Sequence, residues 1–286
     1  MNEICMKVTP KTIYTDIVGL PDPMLLGVSI HYYNNADEAV YMKIFGSGPS
    51  PWSSNAVELG LMNSGTNAYK HLDNFLSRTK PTQATNETLT FILRAYTDSG
   101  YSQLKYEFSR TSDIIMIKSD DGTWTQEVLN NFDNGTVQGW SAYDERTNSS
   151  VTCNVATDYV LSAPYSLKFS LSIGGQTEGR VRFYKSFIIP DKNVIYAIID
   201  VRAGATGYIY SKNLKVQTDT TVLTFIGRPL NTNEVNDYPL NKWLHIVVPL
   251  SPNTTIEIRI VFDVYNTSAN IYNMYGWLDN FQIISK

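Results

Sequence analysis

The sequence predicts an all-β protein built as two sandwiches in series: an immunoglobulin-like β-sandwich over 1–127, then a jelly-roll β-sandwich over 128–286. Three observations predict it. Apolar residues recur at every second position along most of the chain, the period of a half-buried strand. Short clusters of Asn, Asp, Ser, Gly and Pro separate those runs and supply turn chemistry. A chain of 286 residues, 43% hydrophobic and 12% aromatic, has the material for one large core or two ordinary ones.

In the first part, Val28, Ile30 and Tyr32 alternate with polar or small residues. The same period returns in Leu89, Phe91 and Leu93, then in Leu104, Tyr106 and Phe108, and the last run is Ile114 to Ile117. Turns are expected at Asn34-Asn35, Gly46-Ser47-Gly48-Pro49 and Asp98-Ser99-Gly100. One segment reads differently: Ala68, Leu72, Phe75 and Leu76 fall on one face of a short helix, capped by Asn67 and stopped before Pro81. Several short strands around one short helix fit an immunoglobulin-like sandwich. Trp52, in the loop Pro49-Ser50-Pro51-Trp52-Ser53-Ser54, is expected to be exposed and to serve a contact.

Asp120-Asp121-Gly122 is a turn, and Gln126 to Asn131 is the joint into the second part, with no Gly/Ser or Pro linker. Beyond it the alternation is clearer. Leu167, Phe169, Leu171 and Ile173 share one face of a strand, and Val181 and Phe183 face inward while Arg180, Arg182 and Tyr184 face outward. Trp243, His245, Val247 and Pro249 share one parity of the next strand, against Leu244, Ile246 and Val248. Ile256, Ile258, Ile260, Phe262 and Val264 point inward, with Glu257, Arg259, Asp263 and Tyr265 outward. Trp277, Phe281 and Ile283 are assigned to one face of the final strand. Many strands without a helical period imply a double-sheet jelly roll.

Composition excludes several classes. Charged residues are 17% of the chain, the formal net charge is -4 and tyrosines number 19. This is too apolar for a disordered chain and too poorly charged to work by neutralising nucleic-acid phosphates. The longest apolar runs, such as Val194 to Ile199, are strand-sized, so no membrane span is expected. Met1 to Lys7 does not open a signal peptide, since no basic stretch precedes an apolar one. The expected location is extracellular, on a cell surface or in a virion, the last of which needs no leader. Cys5 and Cys153 make no framework pattern; they read as two separate thiols, with a bridge the alternative. Sequons at Asn86, Asn134, Asn148, Asn253 and Asn266 are about as many as chance gives in a chain rich in Asn, Ser and Thr.

Four blocks carry a family pattern. Asn131-Phe132-Asp133-Asn134-Gly135-Thr136-Val137-Gln138-Gly139-Trp140 resembles the opening of the galactose-binding-like jelly-roll carbohydrate-binding modules. Tyr165-Ser166-Leu167-Lys168-Phe169 resembles their second strand. Lys242 to Leu250 is similar to their Trp-x-x-Ile-x-Val-x-Leu strand, and Leu278-Asp279-Asn280-Phe281-Gln282-Ile283 to their closing strand. The blocks occur in the family's order over about 128–286, and no family is recognised in the N-terminal part. The resemblance implies a structural Ca2+ site in which Asp133 and Asp279 meet, helped by carbonyls of the loop before the second strand.

Catalytic patterns are not found. His31, His71 and His245 show no metal spacing such as HExxH, and Gly46-Ser47-Gly48-Pro49-Ser50 resembles a nucleophile elbow only superficially. Glycosidases need two carboxylates about 5–10 Å apart. Glu257 and Asp263 share a face, but six residues at about 3.3 Å each separate them by about 20 Å. The chain is therefore expected not to be an enzyme.

Sugar sites combine aromatic platforms with planar polar side chains. The outward residues Arg180, Arg182, Tyr184, Arg259 and Asp263 supply that mixture if their strands share a concave sheet, and Tyr208 and Tyr210 would extend it. Two readings stay open. One is a non-catalytic carbohydrate-binding or adhesion protein whose C-terminal jelly roll recognises a glycan or glycoconjugate. The other is a structural subunit of a virion, phage tail or cell-surface appendage (a spike, turret or baseplate accessory) that works by contacts with other subunits, with or without host-glycan recognition.

Overall fold

A computed structural model describes residues 3–9, 11–19, 22–147, 149–162, 164–175, 177–207, 209–218, 222–227 and 243–286. The chain divides into two compact units, Met1–Lys118 and Ser119–Lys286. Both are almost entirely β, as the alternation predicts, the first with one 3-10 turn at Ile17–Gly19.

The first unit holds β1 (Ile4–Thr9), β2 (Thr12–Asp16), β3 (Met24–Asn34), β4 (Val40–Ser47), β5 (Asn55–Met62), β6 (Thr66–Arg78), β7 (Thr85–Tyr96) and β8 (Leu104–Ile117). One sheet has the order β1-β3-β6 and the other β2-β8-β7-β4-β5. The β2–β8 pair is parallel and the others are antiparallel. With the first strand split between the two sheets, this is the immunoglobulin-type arrangement. Each sheet turns one parity inward. Val28 and Ile30 of β3 and Leu72 and Leu76 of β6 close against Met42 and Ile44 of β4 and Leu89, Phe91 and Leu93 of β7.

Two expectations fail in this unit. The segment expected as a short helix is strand β6, antiparallel to β3. Between the pairs Leu26 with Leu76 and Val28 with Leu72, β6 spends four residues where β3 spends two. Asn74, at φ 48°, sits in that bulge. The bulge turns Leu72, Phe75 and Leu76 all to the core, which reproduces helical spacing on a strand. Trp52 is buried in the core, and its Nε1 donates to Glu87 Oε2 at 2.5 Å.

The second unit holds β9 (Thr125–Asn130), β10 (Ser141–Asp144), β11 (Ser149–Val151), β12 (Cys153–Ala156), β13 (Ser166–Ile173), β14 (Glu178–Ile188), β15 (Ile195–Ala205), β16 (Ile209–Gln217), β17 (Val222–Gly227), β18 (Trp243–Pro249), β19 (Thr255–Asn266) and β20 (Tyr272–Ser285). The expected joint, 127/128, falls inside β9. One sheet has the order β11-β10-β14-β19-β16-β17 and the other β12-β13-β20-β15-β18, with β9 pairing the C-terminal half of β20. The inward parity of both sheets forms one aromatic core. Phe169 lies 5.0 Å from Phe183 and 5.4 Å from Phe262, ring centre to ring centre, and Trp140 lies 5.0 Å from Phe281.

Trp277 is a correction. Leu278, Phe281 and Ile283 are core, but Trp277 is buried on the opposite face, edge-on to Tyr159 at 4.8 Å. Asn280, at φ 46°, adds one residue to β20 between the partners of Ile198 and Asp200 and so flips its parity. The cysteines are free; burial pushes the Cys153 thiol up to about 12.

Candidate functional site

The outer face of the β10–β14–β19 sheet gathers most of the residues expected to bind a ligand. On β14 every second residue from Glu178 to Tyr184 points away from the core, since Gly179, Val181 and Phe183 are buried inward. Strand register then fixes their neighbours. Arg180 stands opposite Asp263, Arg182 opposite Val261 and Tyr184 opposite Arg259 on β19. On the other side Arg182 stands opposite Tyr143 and Tyr184 opposite Ser141 on β10.

The charges on this face are tied to one another. Nη2 of Arg180 donates to Oδ2 of Asp263 at 2.7 Å, and its Nε lies 3.9 Å from Oε2 of Glu145. Nη1 of Arg182 donates to the other oxygen of Glu145 at 3.2 Å. The bond to Asp263 is the main cause that raises the Arg180 pKa above its usual value, against the opposing effect of burial. Arg182 also lies over two aromatic rings, 5.1 Å from the centre of Tyr143 and 5.3 Å from that of Tyr184. Nε of Arg259 donates to Glu257 at 2.5 Å.

Asp263 differs from the rest of the row. Its residue exposure is 0%, and it accepts from Arg180. It anchors that guanidinium and does not itself meet solvent. Tyr143 and Glu145 are the members that sequence reasoning missed. Glu145 N donates to Arg180 O at 2.9 Å, so the pairing with β14 continues past the end of β10. A four-residue strand joined to one nearly forty residues later leaves no local periodic signal. Tyr208 lies outside the described residues; the backbone of Tyr210 pairs with Tyr265, and its side chain is likewise outside them.

The two residues expected at a calcium site are placed differently. Asp133 is exposed, and its Oδ2 accepts from Nδ2 of Asn131 at 2.6 Å. Asp279 is fully buried. Its Oδ2 accepts from the backbone N–H groups of Leu161 at 2.9 Å and Ser162 at 3.0 Å. Its Oδ1 accepts from Asn280 N at 2.8 Å and Ser162 Oγ at 3.1 Å. Burial is the main cause that pushes the Asp279 pKa up, against those four hydrogen bonds. A calcium ion needs six to eight oxygens, and the loop before β13 turns N–H groups, not carbonyls, toward this carboxylate. Among the described residues no group of three or more His, Cys, Asp or Glu side chains is placed to hold a metal ion. As arranged, Asp279 suits a hydrogen-bonded anchor for that loop. Calcium there would require Leu161 and Ser162 to turn away.

No protein-family model matches the chain, and no curated protein matches it. Among solved structures it is similar to carbohydrate-binding modules of the β-sandwich superfamily, at 12% identity and TM-score 0.37, over 98% of this chain and 97% of that one. It is similar to the tandem family 22 carbohydrate-binding modules of Paenibacillus barcinonensis Xyn10C, at 9% identity and TM-score 0.38, over 100% and 92%. A family 61 module solved with β-1,4-galactotriose is similar at 14% identity and TM-score 0.33, over 55% and 94%. Among the described residues no helix is long and apolar enough to cross a membrane.

Proposed function

We propose that this is a non-catalytic glycan-binding protein and that its ligand lies on the outer face of β10, β14 and β19. One observation carries the reading: Arg180 and Arg182 are braced by Asp263 and Glu145 while Tyr143 and Tyr184 flank Arg182 on the same face. A sugar offers hydroxyls and an apolar C–H side, and this row answers both. The arginine forks donate planar hydrogen bonds, and the tyrosines give apolar surface with a polar tip. Bracing removes much of the rotamer entropy that a long side chain would otherwise lose on binding. Arg259 extends the row, and Asp263 acts by holding Arg180.

The test is a glycan array with the full chain, followed by titration calorimetry on the best ligand. Saturable binding is expected, with Arg182→Ala and Tyr184→Ala each weakening it about tenfold or more while melting like the parent. Folded protein that binds no glycan, or binding that both variants leave intact, would overturn this assignment.

A further inference from the structure

The β1-β3-β6 sheet of the first sandwich carries a cluster that glycan binding does not use. Ile4 and Met6 of β1 and Val28, Ile30 and Tyr32 of β3 are core, so Cys5, Lys7, His31 and Tyr33 between and beside them lie on the outer face. Register sets Lys7 of β1 and Tyr69 of β6 on either side of His31, and Cys5 and Asn67 on either side of Tyr33.

The imidazole of His31 is clasped by these neighbours. The Tyr69 ring stacks on it at 3.6 Å and 18°, and the Tyr33 ring lies tilted against it at 4.0 Å. Its Nε2 lies 3.0 Å from Asn67 Oδ1, and its Nδ1 lies 2.5 Å from Tyr33 Oη. An amide oxygen only accepts, so Nε2 carries the ring proton and Nδ1 accepts from the phenol. Both bonds therefore fit one state, the neutral ring.

A second proton would go to Nδ1, where the Tyr33 hydroxyl donates, and the ring would lose that bond as it is made. It would also place a cation directly across from Lys7. The titratable groups around His31 are Lys7 and Cys5 from β1, Tyr33 on its own strand and Tyr69 from β6, with His71 one outward register pair further along, opposite Ser29. None is a carboxylate that would welcome an imidazolium. Burial leads in pushing the His31 pKa below its ordinary 6.5, Lys7 adds to it, and the Asn67 bond opposes. The phenol faces attract a cation only weakly at a position open to solvent.

We propose that His31 is an acid sensor that keeps β1 in place at neutral pH and loosens it in mild acid. β1 is an edge strand paired with β3, and Lys7 is the direct cross-strand partner of His31, so the repulsion created by protonation falls on that pair. The sign follows from linkage. The folded state disfavours the proton, so the stability that the clasp contributes is present above pH 6.5 and is lost as pH falls through the lower folded value.

Two measurements on the full chain test this: the Cε1–H resonance of His31 titrated by NMR from about pH 8 to about pH 5, and the protection of β1 amides from hydrogen exchange over the same range. The expected midpoint lies below 6.5, and β1 protection falls in acid by about tenfold for each unit by which it does. Tyr33→Phe removes the phenol donor and should move the midpoint back up. His31→Gln should hold β1 protection level through the range in which the parent loses it. A midpoint at or above 6.5 would overturn the inference, whether or not His31→Gln folds, and so would β1 protection that falls as far in His31→Gln as in the parent.

Discussion

Trp52, Arg78 and Glu87 form a buried polar knot in the first sandwich, and its removal makes a sharp test of how that unit is held. Arg78 ends β6 and Glu87 lies on β7; their side chains are ion-paired and nearly excluded from solvent. Glu87 also accepts from Trp52 Nε1 at 2.5 Å, and the Arg78 guanidinium lies 5.6 Å from the Trp52 ring centre. Glu87→Gln keeps the shape and deletes the charge; its amide offers one acceptor oxygen where the carboxylate offers two, so Arg78 and Trp52 can no longer both be answered, and the unneutralised guanidinium keeps the carbonyl of Thr79 at 3.0 Å. Breaking one side of such a pair costs about 3–5 kcal/mol. For a unit of this size that corresponds to a fall in Tm on the order of 10 °C or more. The double variant Arg78→Met/Glu87→Met removes both charges and orphans only neutral groups, the indole N–H, the Thr79 carbonyl and the Thr85 hydroxyl, which cost less than an unpaired buried charge. Scanning calorimetry should therefore rank parent, double variant and Glu87→Gln in falling order. If Glu87→Gln melts with the parent, or the double variant loses as much as the single changes summed, the pair does not hold the unit in this way.

Gly276→Ala should lower the melting temperature of the second sandwich. The added Cβ would stand 2.2 Å from Phe169 Cε1, inside a packed aromatic cluster, and overpacking of this kind costs about 1–3 kcal/mol. Asp279→Ala should destabilise the same unit by freeing the loop at Leu161 and Ser162, and a chelator is expected to leave Tm unchanged. A fall in Tm with chelator, restored by calcium, would establish the ion at Asp133 and Asp279 instead. The backbone N–H of Gln103 leads the bonds that hold the Asp98 pKa below the ordinary aspartate value of 3.8. The order it gives the loop between β7 and β8 is therefore present above that pH and lost as pH falls through the lower folded value. Amide exchange at Ser102 and Gln103 should quicken in acid, and Asp98→Ala should remove that pH dependence.

Strand content and core parity were legible because burial acts on every second residue, and β4 and β14 follow the period almost without a break, while β19 keeps its inward parity although Val261 and Asp263 on the other are buried as well. Legibility stops where an extra residue enters a strand. The bulge at Asn74 made β6 read as a helix, and the one at Asn280 moved Trp277 to the face opposite Phe281. Neither residue is glycine, so neither bulge announces itself in composition. Trp52 was misread for another reason: its Pro- and Ser-rich loop looks solvated, while its partners Arg78 and Glu87 are distant in sequence. At the candidate site the outward row of β14 was visible as alternation, but Tyr143 and Glu145 were not, because only the pairing of β10 with β14 brings them there.

The two outer faces use the same residue types to opposite ends, and the depth of the carboxylates explains the difference. On the jelly roll, Asp263 has no exposure of its own while the Arg180 side chain it anchors keeps 32%. On the first sandwich, Glu58 and Glu107 lie beside Lys43 and Arg94 at the surface, with side chains 59% and 45% exposed, so each cation is answered at the level where a ligand would meet it. A braced cation with an open edge can still donate to an incoming hydroxyl. A cation neutralised at the surface contributes little to attraction. Asp263→Asn removes the charge that holds Arg180, and the expected result in calorimetry is weaker glycan binding. Glu58→Gln frees Lys43 on the other face, and glycan affinity is expected to stay unchanged. Glycan binding that Asp263→Asn leaves intact, or that Glu58→Gln weakens, would refute this reading of the two faces.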